Sequence, residues 1–216
     1  MRIGILGTGG VGATIGSKLV ALGHEVKMGG RAKANEKSTA WVAAAGPNAS
    51  AGDYGEAAAF GELLVVATAG TGTLEALAQA GADALGDKVV IDLSNPLDFS
   101  QGFPPRLSTA ANDSLGEQAQ RAFPRARFVK TLNTVTAELM VAPHKVADGE
   151  HVMFLCGDDA AAKETVSALL RDGLGWKHLI DLGGITSARA TEGYLPLWVR
   201  LYGKVGTGMF NIAIVK

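Results

Sequence analysis

Cysteine is nearly absent. Cys156 is the one thiol in 216 residues, so no internal disulfide can form and paired-cysteine metal sites are excluded. It lies in the apolar run HVMFLC, which marks a buried, inert thiol rather than a nucleophile. Histidine is scarce as well: the four residues His24, His144, His151 and His178 show no H-E-x-x-H spacing, and no metal site is expected. Neither sign of charge is in excess, with 20 Lys+Arg against 21 Asp+Glu and a net charge of −1. Nothing here attracts nucleic acid or an anionic membrane. Long uncharged runs are missing too. The lightly charged stretch from Leu63 to Ala84 is broken by Gly70, Gly72, Glu75, Gly81 and Asp83 and fails as a membrane span. Met1 leads almost directly into RIGIL without a charged n-region or cleavage site, so export is not expected and the chain reads as cytoplasmic.

What is present is an ordinary globular composition, 47% hydrophobic, long enough for one large domain. Short β-rich runs alternate with Ala-rich helical patterns. Strands are expected at Arg2–Leu6, Glu25–Met28, Glu62–Ala67, Lys88–Leu93 and Arg127–Leu132. Helices are expected near Val11–Ala21, Glu36–Ala45, Thr73–Ala82 and Ser114–Ala122, with a shorter one at Asp53–Phe60. This alternation implies an α/β fold with a mostly parallel sheet covered on both faces, and the near-continuous apolar runs LLVVA and VVIDL suit strands buried on both sides. After Asn133 come strands at His151–Cys156 and His178–Leu182, helices at Ala160–Asp172 and Ala190–Tyr202, and the apolar closing segment MFNIAIV. The simplest organisation is a single domain, with residues 1–133 as a dinucleotide-binding core and 134–216 as a strand/helix extension. The one long loop, Asn95–Asp113, holds three of the seven prolines, and loops of that length at a sheet edge are often functional.

Residues 7–12 read GTGGVG. A full G-x-G-x-x-G (Gly7, Gly9, Gly12) directly follows a strand and opens a helix. Gly7 permits the tight turn, Gly9 lets a pyrophosphate approach the backbone, and Gly12 lets helix and strand pack closely. The helix N-terminus adds unpaired N–H groups and the positive end of its dipole. A triphosphate P-loop is set aside because Ala13 stands where its lysine is required. The Rossmann-type, doubly wound reading makes Gly7, Thr8, Gly9, Gly10, Val11 and Gly12 the phosphate-binding turn.

In MGGRAKANEK, residues 28–37, the position that normally carries an acid for the adenosine ribose is Gly30. An acid there would repel a 2′-phosphate. Gly30 leaves room, Arg31 presents a planar guanidinium, Lys33 and Lys37 add positive potential, and Asn35 offers an amide. NADP(H) is therefore the expected cofactor, the alternative being a solvated basic loop. Other ligand positions lie at the carboxyl ends of the strands. Ala67 and Thr68 are placed by the ribose. Ser94, Asn95 and Asn133 are candidates to hold the nicotinamide carboxamide, and ordinary loop closure is the open alternative for each. No acid–base set is visible, so the catalytic residues are unknown. His24 falls on the wrong side of the sheet, Asp158 and Asp159 are read as caps of the following helix, and Lys130 as a structural or surface residue.

The segments RIGILGTGGVG, LGHEV, GGR, VVIDLSNPL, VKTLNTV, FLCGDDAAAK and GYLPLWVRLYGKVGTGMFNIAIV together resemble the family of NADP-dependent coenzyme F-420 oxidoreductases, whose relatives include the cytosolic domains of membrane ferric reductases. The resemblance implies Thr8 and Arg31 as cofactor contacts. It also makes Gly206, Gly208, Met209 and Phe210 candidates for the second-substrate side, a final edge strand or dimer interface being the open alternative. Gly30 replaces a serine of the family pattern, the family's proline and aromatic residue after the strand at Glu62–Ala67 are replaced by ATAGTGT, and Asn133 stands where archaeal members tend to have histidine. The expected activity is hydride transfer between NADP(H) and a deazaflavin or flavin-type acceptor such as F-420, chemistry that needs stacking and orientation more than a proton donor. Imine or ferric reduction, and NADP(H) sensing without turnover, are the alternatives. The excess of apolar residues in TEGYLPLWVRLYG points to a homodimer.

Overall fold

The computed structural model describes residues 1–33 and 35–215. Ten strands and ten α-helices follow in the order β1 (Arg2–Leu6), α1 (Gly10–Ala21), β2 (Glu25–Gly30), α2 (Glu36–Ala45), β3 (Ala49–Asp53), α3 (Tyr54–Phe60), β4 (Leu63–Val66), α4 (Thr73–Ala80), α5 (Ala82–Leu85), β5 (Val89–Asp92), β6 (Leu97–Asp98), β7 (Arg106–Leu107), α6 (Leu115–Ala122), β8 (Arg127–Thr131), α7 (Ala137–Val141), β9 (Val152–Cys156), α8 (Ala160–Ala168), β10 (His178–Asp181), α9 (Ala188–Gly193) and α10 (Leu195–Val205) among the described residues. Eight strands form one sheet in the order β10-β9-β8-β5-β4-β1-β2-β3, and β6 and β7 make a separate antiparallel hairpin. Every neighbouring pair of the large sheet is parallel except β8 and β9. This is a doubly wound α/β fold. The connection after β3 returns to the far side of β1, which places the switch point at the ends of β1 and β4.

Strand residues alternate between two cores, as the pleat requires. Ile3, Ile5, Leu63, Val65, Val89, Ile91 and Val129 face one core, where α1 contributes Ile15 and Leu19 and α2 contributes Trp41. Leu6, Leu64, Val66, Val90 and Phe128 face the other, against Ala57 of α3, Leu77 of α4 and Ala119 of α6. Both faces of β4 and β5 are therefore buried. α2 starts at a capping box in which Asn35 and Ser38 satisfy each other's backbone N–H groups, and it is anchored by the Trp41 indole N–H donating to Ser17 at 3.0 Å.

The β6–β7 hairpin and α7 are not expected from the sequence, the helix expected at Ala190–Tyr202 is divided into α9 and α10, and three further elements differ. β3, with the sequence ASAGD, carries no β-branched residue and so gave no strand signal; it forms as an edge strand on β2. The helix expected to run through Thr73–Ala82 breaks at Gly81, whose φ of +89° ends one helix and begins the next. The apolar tail after Gly206 adds no strand. It lies against the start of β9, where the Val152 N–H donates to the Ile212 carbonyl at 3.0 Å and the Asn211 amide donates to the Val152 carbonyl at 2.7 Å. On α10, Leu197, Tyr202 and Val205 remain exposed, as does Ile214 of the tail; this is the surface on which the sequence suggested homodimer packing. Among the described residues, no helix is long and apolar enough to cross a membrane.

Cys156 is buried, and burial pushes its thiol up to about 12. It is therefore expected to ignore a thiol reagent at pH 8 in the native chain and to react stoichiometrically after unfolding in urea. Fast labelling of the folded protein would show that β9 opens locally.

Candidate functional site

The glycine turn sits at the switch point. Gly7 has a φ of +132°, and a Cβ there would lie 2.4 Å from the Ala67 carbonyl oxygen, so β1 and β4 tips touch through backbone alone. A Cβ on Gly12 would lie 2.3 Å from the Gly7 carbonyl oxygen, which accounts for the third glycine of the motif. Gly9 and Gly10 face open space, with nothing within 4 Å of a Cβ on either. Gly9 is the N-cap of α1, has no side-chain cap, and is followed by no acid in the first turn. The leading N–H groups of a 12-residue helix thus have no side-chain cap and lie beside accessible space. The turn fits a pyrophosphate.

At the tip of β2, a Cβ on Gly29 would collide with Ala57 at 2.7 Å. A Cβ on Gly30 would lie 2.7 Å from Asn35 Nδ2 and 3.1 Å from Thr8 Cγ2. Gly30 therefore gives space to Asn35 and Thr8 as well as to a ligand. Asn35 is partly committed: its Oδ1 accepts from the Ser38 N–H at 3.0 Å, leaving its Nδ2 beside Gly30. Lys33 is paired with Glu56 at 2.7 Å, so its charge is locally matched. Arg31 is exposed, makes no ion pair among the described residues, and its Nη2 lies 3.9 Å from the Cβ position of Gly72. Its guanidinium thus reaches across the slot between the β2 and β4 tips.

Beyond the switch point, the tips of β5 and β8 are joined by a pair of asparagines. Asn95 Nδ2 donates to the Asn133 carbonyl at 2.8 Å, and Asn133 Nδ2 donates to Asn95 Oδ1 at 3.0 Å. Leu132, just before Asn133, holds a φ of +60° while buried. A left-handed non-glycine costs about 1–3 kcal/mol and is tolerated where surrounding structure enforces it, commonly at functional sites. Thr68 is tied to Thr73 by a 2.8 Å hydroxyl contact.

Below this platform lies an ion cluster that the sequence reading missed. Lys130 is fully buried. Its Nζ is 2.9 Å from Asp92 Oδ2, 2.8 Å from Glu192 Oε1, and 2.6 Å from the Ser94 carbonyl to which it donates. Asp92 Oδ1 in turn accepts from the N–H and hydroxyl of Ser94 at 2.9 and 2.5 Å, so Ser94 is a buried support for Asn95. Glu192 also accepts from the Leu115 and Gly116 N–H groups at 2.8 and 3.1 Å, capping α6. Burial alone would push the Lys130 ammonium down, but Asp92 and Glu192 outweigh it and hold its pKa above the ordinary lysine value. Lys130 is thus a structural residue, as expected, but its place is the deep interior and not the surface. The signal in the sequence was the flanking run RFVKT, too apolar for a surface lysine.

The second-substrate candidates lie on the C-terminal tail. Gly206 ends α10 with a φ of +76°, Gly208 packs on Thr136 just beyond the β8 tip, Met209 joins the core, and Phe210 stacks on Trp198 with ring centroids 5.5 Å apart. Asp159 caps α8 through the Ala162 N–H at 2.7 Å, while Asp158 instead accepts from the Ile185 N–H at 2.9 Å. Among the described residues, no cluster of His, Cys, Asp and Glu is arranged to hold a metal.

Residues 2–96 match the family described as NADP oxidoreductase coenzyme F420-dependent. A solved structure from Arthrobacter sp. FB24, described as a candidate F420-dependent NADP reductase, is 46% identical, with a TM-score of 0.95 over 100% of both chains. The chain belongs to this family of NADP-dependent oxidoreductases. Rat metalloreductase STEAP3 is 30% identical over 91% of the chain, which spans only 38% of the length of that relative. An imine reductase from Streptomyces aurantiacus shares 16% identity and a TM-score of 0.65, covering 95% of this chain and 64% of its own, a likeness of fold alone.

Proposed function

We propose that the chain binds NADP(H) across the β1/β4 switch point and moves a hydride between the nicotinamide and a flat deazaflavin or flavin-type acceptor, with F-420 as the model acceptor. The observation that carries this reading is the exposed Arg31 guanidinium, without an ion pair among the described residues and reaching toward Gly72, beside an uncapped glycine turn with open space at Gly9 and Gly10. Gly7, Thr8, Gly9, Gly10, Val11 and Gly12 would hold the pyrophosphate, and Arg31 with Asn35 Nδ2 the 2′-phosphate. Ala67 and Thr68 would border the ribose, and the Asn95–Asn133 pair would orient the carboxamide from a base fixed by Ser94. Bound NADPH supplies the hydride. Among the described residues, the tips of β1, β4, β5 and β8 include no histidine, tyrosine or unpaired lysine, which suits a transfer that depends on alignment and not on a protein acid.

The test is NADPH oxidation by the purified chain with F-420, FMN, a cyclic imine and a ferric chelate as separate acceptors. The ferric arm is included because of the similarity to a metalloreductase. Arg31→Ala is expected to raise the KM for NADPH about tenfold to a hundredfold, the worth of one charge-assisted phosphate contact, with little change for NADH. Equal losses for both dinucleotides would remove Arg31 from the 2′-phosphate site. Tight NADPH binding without reduction of any acceptor would favour a sensor.

A further inference from the structure

The hairpin of β6 and β7 emerges from the β5 tip immediately after Asn95 and Pro96. Its base is fixed: the Ser108 N–H donates to the Pro96 carbonyl at 2.7 Å, and Leu97 pairs with Leu107. At its tip Asp98 accepts from the Ser100 N–H and hydroxyl at 2.8 and 2.9 Å. Phe99, held in this Asx turn and 58% exposed, lines a cavity of about 450 Å³. The cavity is continuous with the dinucleotide turn, since Val11 lines it together with Thr68, Leu93, Asn95, Leu97 and Phe99. It falls in the size range of small-molecule sites.

An exposed phenylalanine on a braced turn is poorly explained by folding, because it buries little apolar surface in the free chain. It is explained by a ligand with a flat apolar face. We infer that Phe99 is the outer wall of the acceptor subsite and stacks on a neutral, planar heteroaromatic ring held against the nicotinamide. This inference rests on the dinucleotide reading above and moves the acceptor contact from the Gly206–Phe210 tail to the β6–β7 hairpin. The electrostatics select the ring's chemistry. The two Ser100 hydrogen bonds hold the Asp98 carboxyl below its usual range, so an ionised carboxylate stands at the rim. No cationic side chain lines the cavity among the described residues. An anionic ferric chelate would meet like charge and a phenyl ring there, whereas the neutral isoalloxazine ring of a flavin meets neither repulsion nor an unpaired buried charge.

The experiment is a titration of riboflavin into the full chain saturated with NADP⁺, read by quenching of flavin fluorescence, with saturation checked first by direct titration of NADP⁺. Phe99→Ala is expected to weaken riboflavin about tenfold (about 1.4 kcal/mol) while the NADP⁺ dissociation constant stays within about twofold, a change small on that scale. Phe99→Trp should retain riboflavin binding. Phe103→Ala is the control, since Phe103 lies on the same hairpin and is 66% exposed but does not line the cavity. No riboflavin binding by the NADP⁺-loaded wild type, no effect of Phe99→Ala, or an equal effect of Phe103→Ala would each overturn the assignment. Because binding is read without turnover, an absence of hydride transfer would defeat the proposed activity and leave this site standing. Failure of NADP⁺ to bind would defeat both.

Discussion

Replacing Lys130 by methionine is expected to cost about 3–5 kcal/mol of stability, the usual loss when one partner is removed from a buried ion pair. The cost comes from what is left behind. Asp92 and Glu192 are as buried as the lysine, and without its ammonium two carboxylates share a cavity that water cannot reach. Domain stabilities are typically about 5–15 kcal/mol, and in a chain of this size each kcal/mol moves the melting point by about 2–4 °C. Thermal unfolding should therefore shift down by roughly 6–20 °C. Lys130→Arg should not rescue, because the larger planar head has no room in a site with no exposed surface. A triple variant, Lys130→Met with Asp92→Asn and Glu192→Gln, should recover much of the loss, since no unpaired charge then remains. The sign of the pH dependence is fixed as well. A lysine whose folded pKa is raised contributes fully below the ordinary lysine value of about 10.4 and loses its contribution as pH rises through the folded value, so the wild type should be insensitive to this group from pH 6 to 9. The variant, left with two buried unpaired carboxylates, should regain stability as pH falls and they take up protons, so that the difference narrows toward acid pH. A loss under about 1 kcal/mol for Lys130→Met, within the range of an exposed pair, would show that water reaches the cluster.

The Lys130 cluster also marks where sequence reasoning stopped. The glycine turn, the strands on either side of it and Arg31 at the β2 tip were legible because their meaning is local: a turn needs its glycines within a few residues, and a buried strand announces itself by an apolar run. Lys130 could be read as structural from its neighbours, but its depth depends on Glu192, which reaches it from α9 while capping α6. No local pattern links residues 92, 130 and 192. Asn35 was legible as a cofactor candidate from its position, yet its oxygen is spent on capping α2, a competing use that only geometry reveals. The Asn95–Asn133 pair shows the reverse. Each residue alone looked equally suited to closing a turn, and the two reciprocal bonds between them are what make a platform.

Gly70 carries the second large effect. A Cβ there would lie 1.9 Å from the Asn95 carbonyl oxygen, 2.5 Å from the Asn95 carbonyl carbon and 2.8 Å from Pro96 Cα. All three are backbone atoms, so no rotamer change relieves the clash. Gly70 needs no special φ; the demand is for space, where the turn after β4 crosses the tip of β5. Gly70→Ala must therefore push the two tips apart by about 1 Å if the new contact is to reach ordinary separation. That displacement costs about 1–3 kcal/mol in stability, as overpacking does. It also moves Asn95, whose side chain holds Asn133 and whose backbone leads into the Phe99 hairpin. If hydride transfer runs as proposed, a misplacement of that size is expected to lower turnover with FMN or F-420 about a hundredfold, the usual cost of lost alignment. Gly72→Ala is the matched control two residues away, where the nearest atom to a Cβ is Arg31 Nη2 at 3.9 Å. It should leave the melting temperature within about 2 °C of wild type, the shift expected for less than 1 kcal/mol. If Gly70→Ala instead kept its turnover within threefold of wild type, the β5 tip would be pliant, and the hydride transfer would owe less to a rigid platform than to the stacking of the two rings themselves.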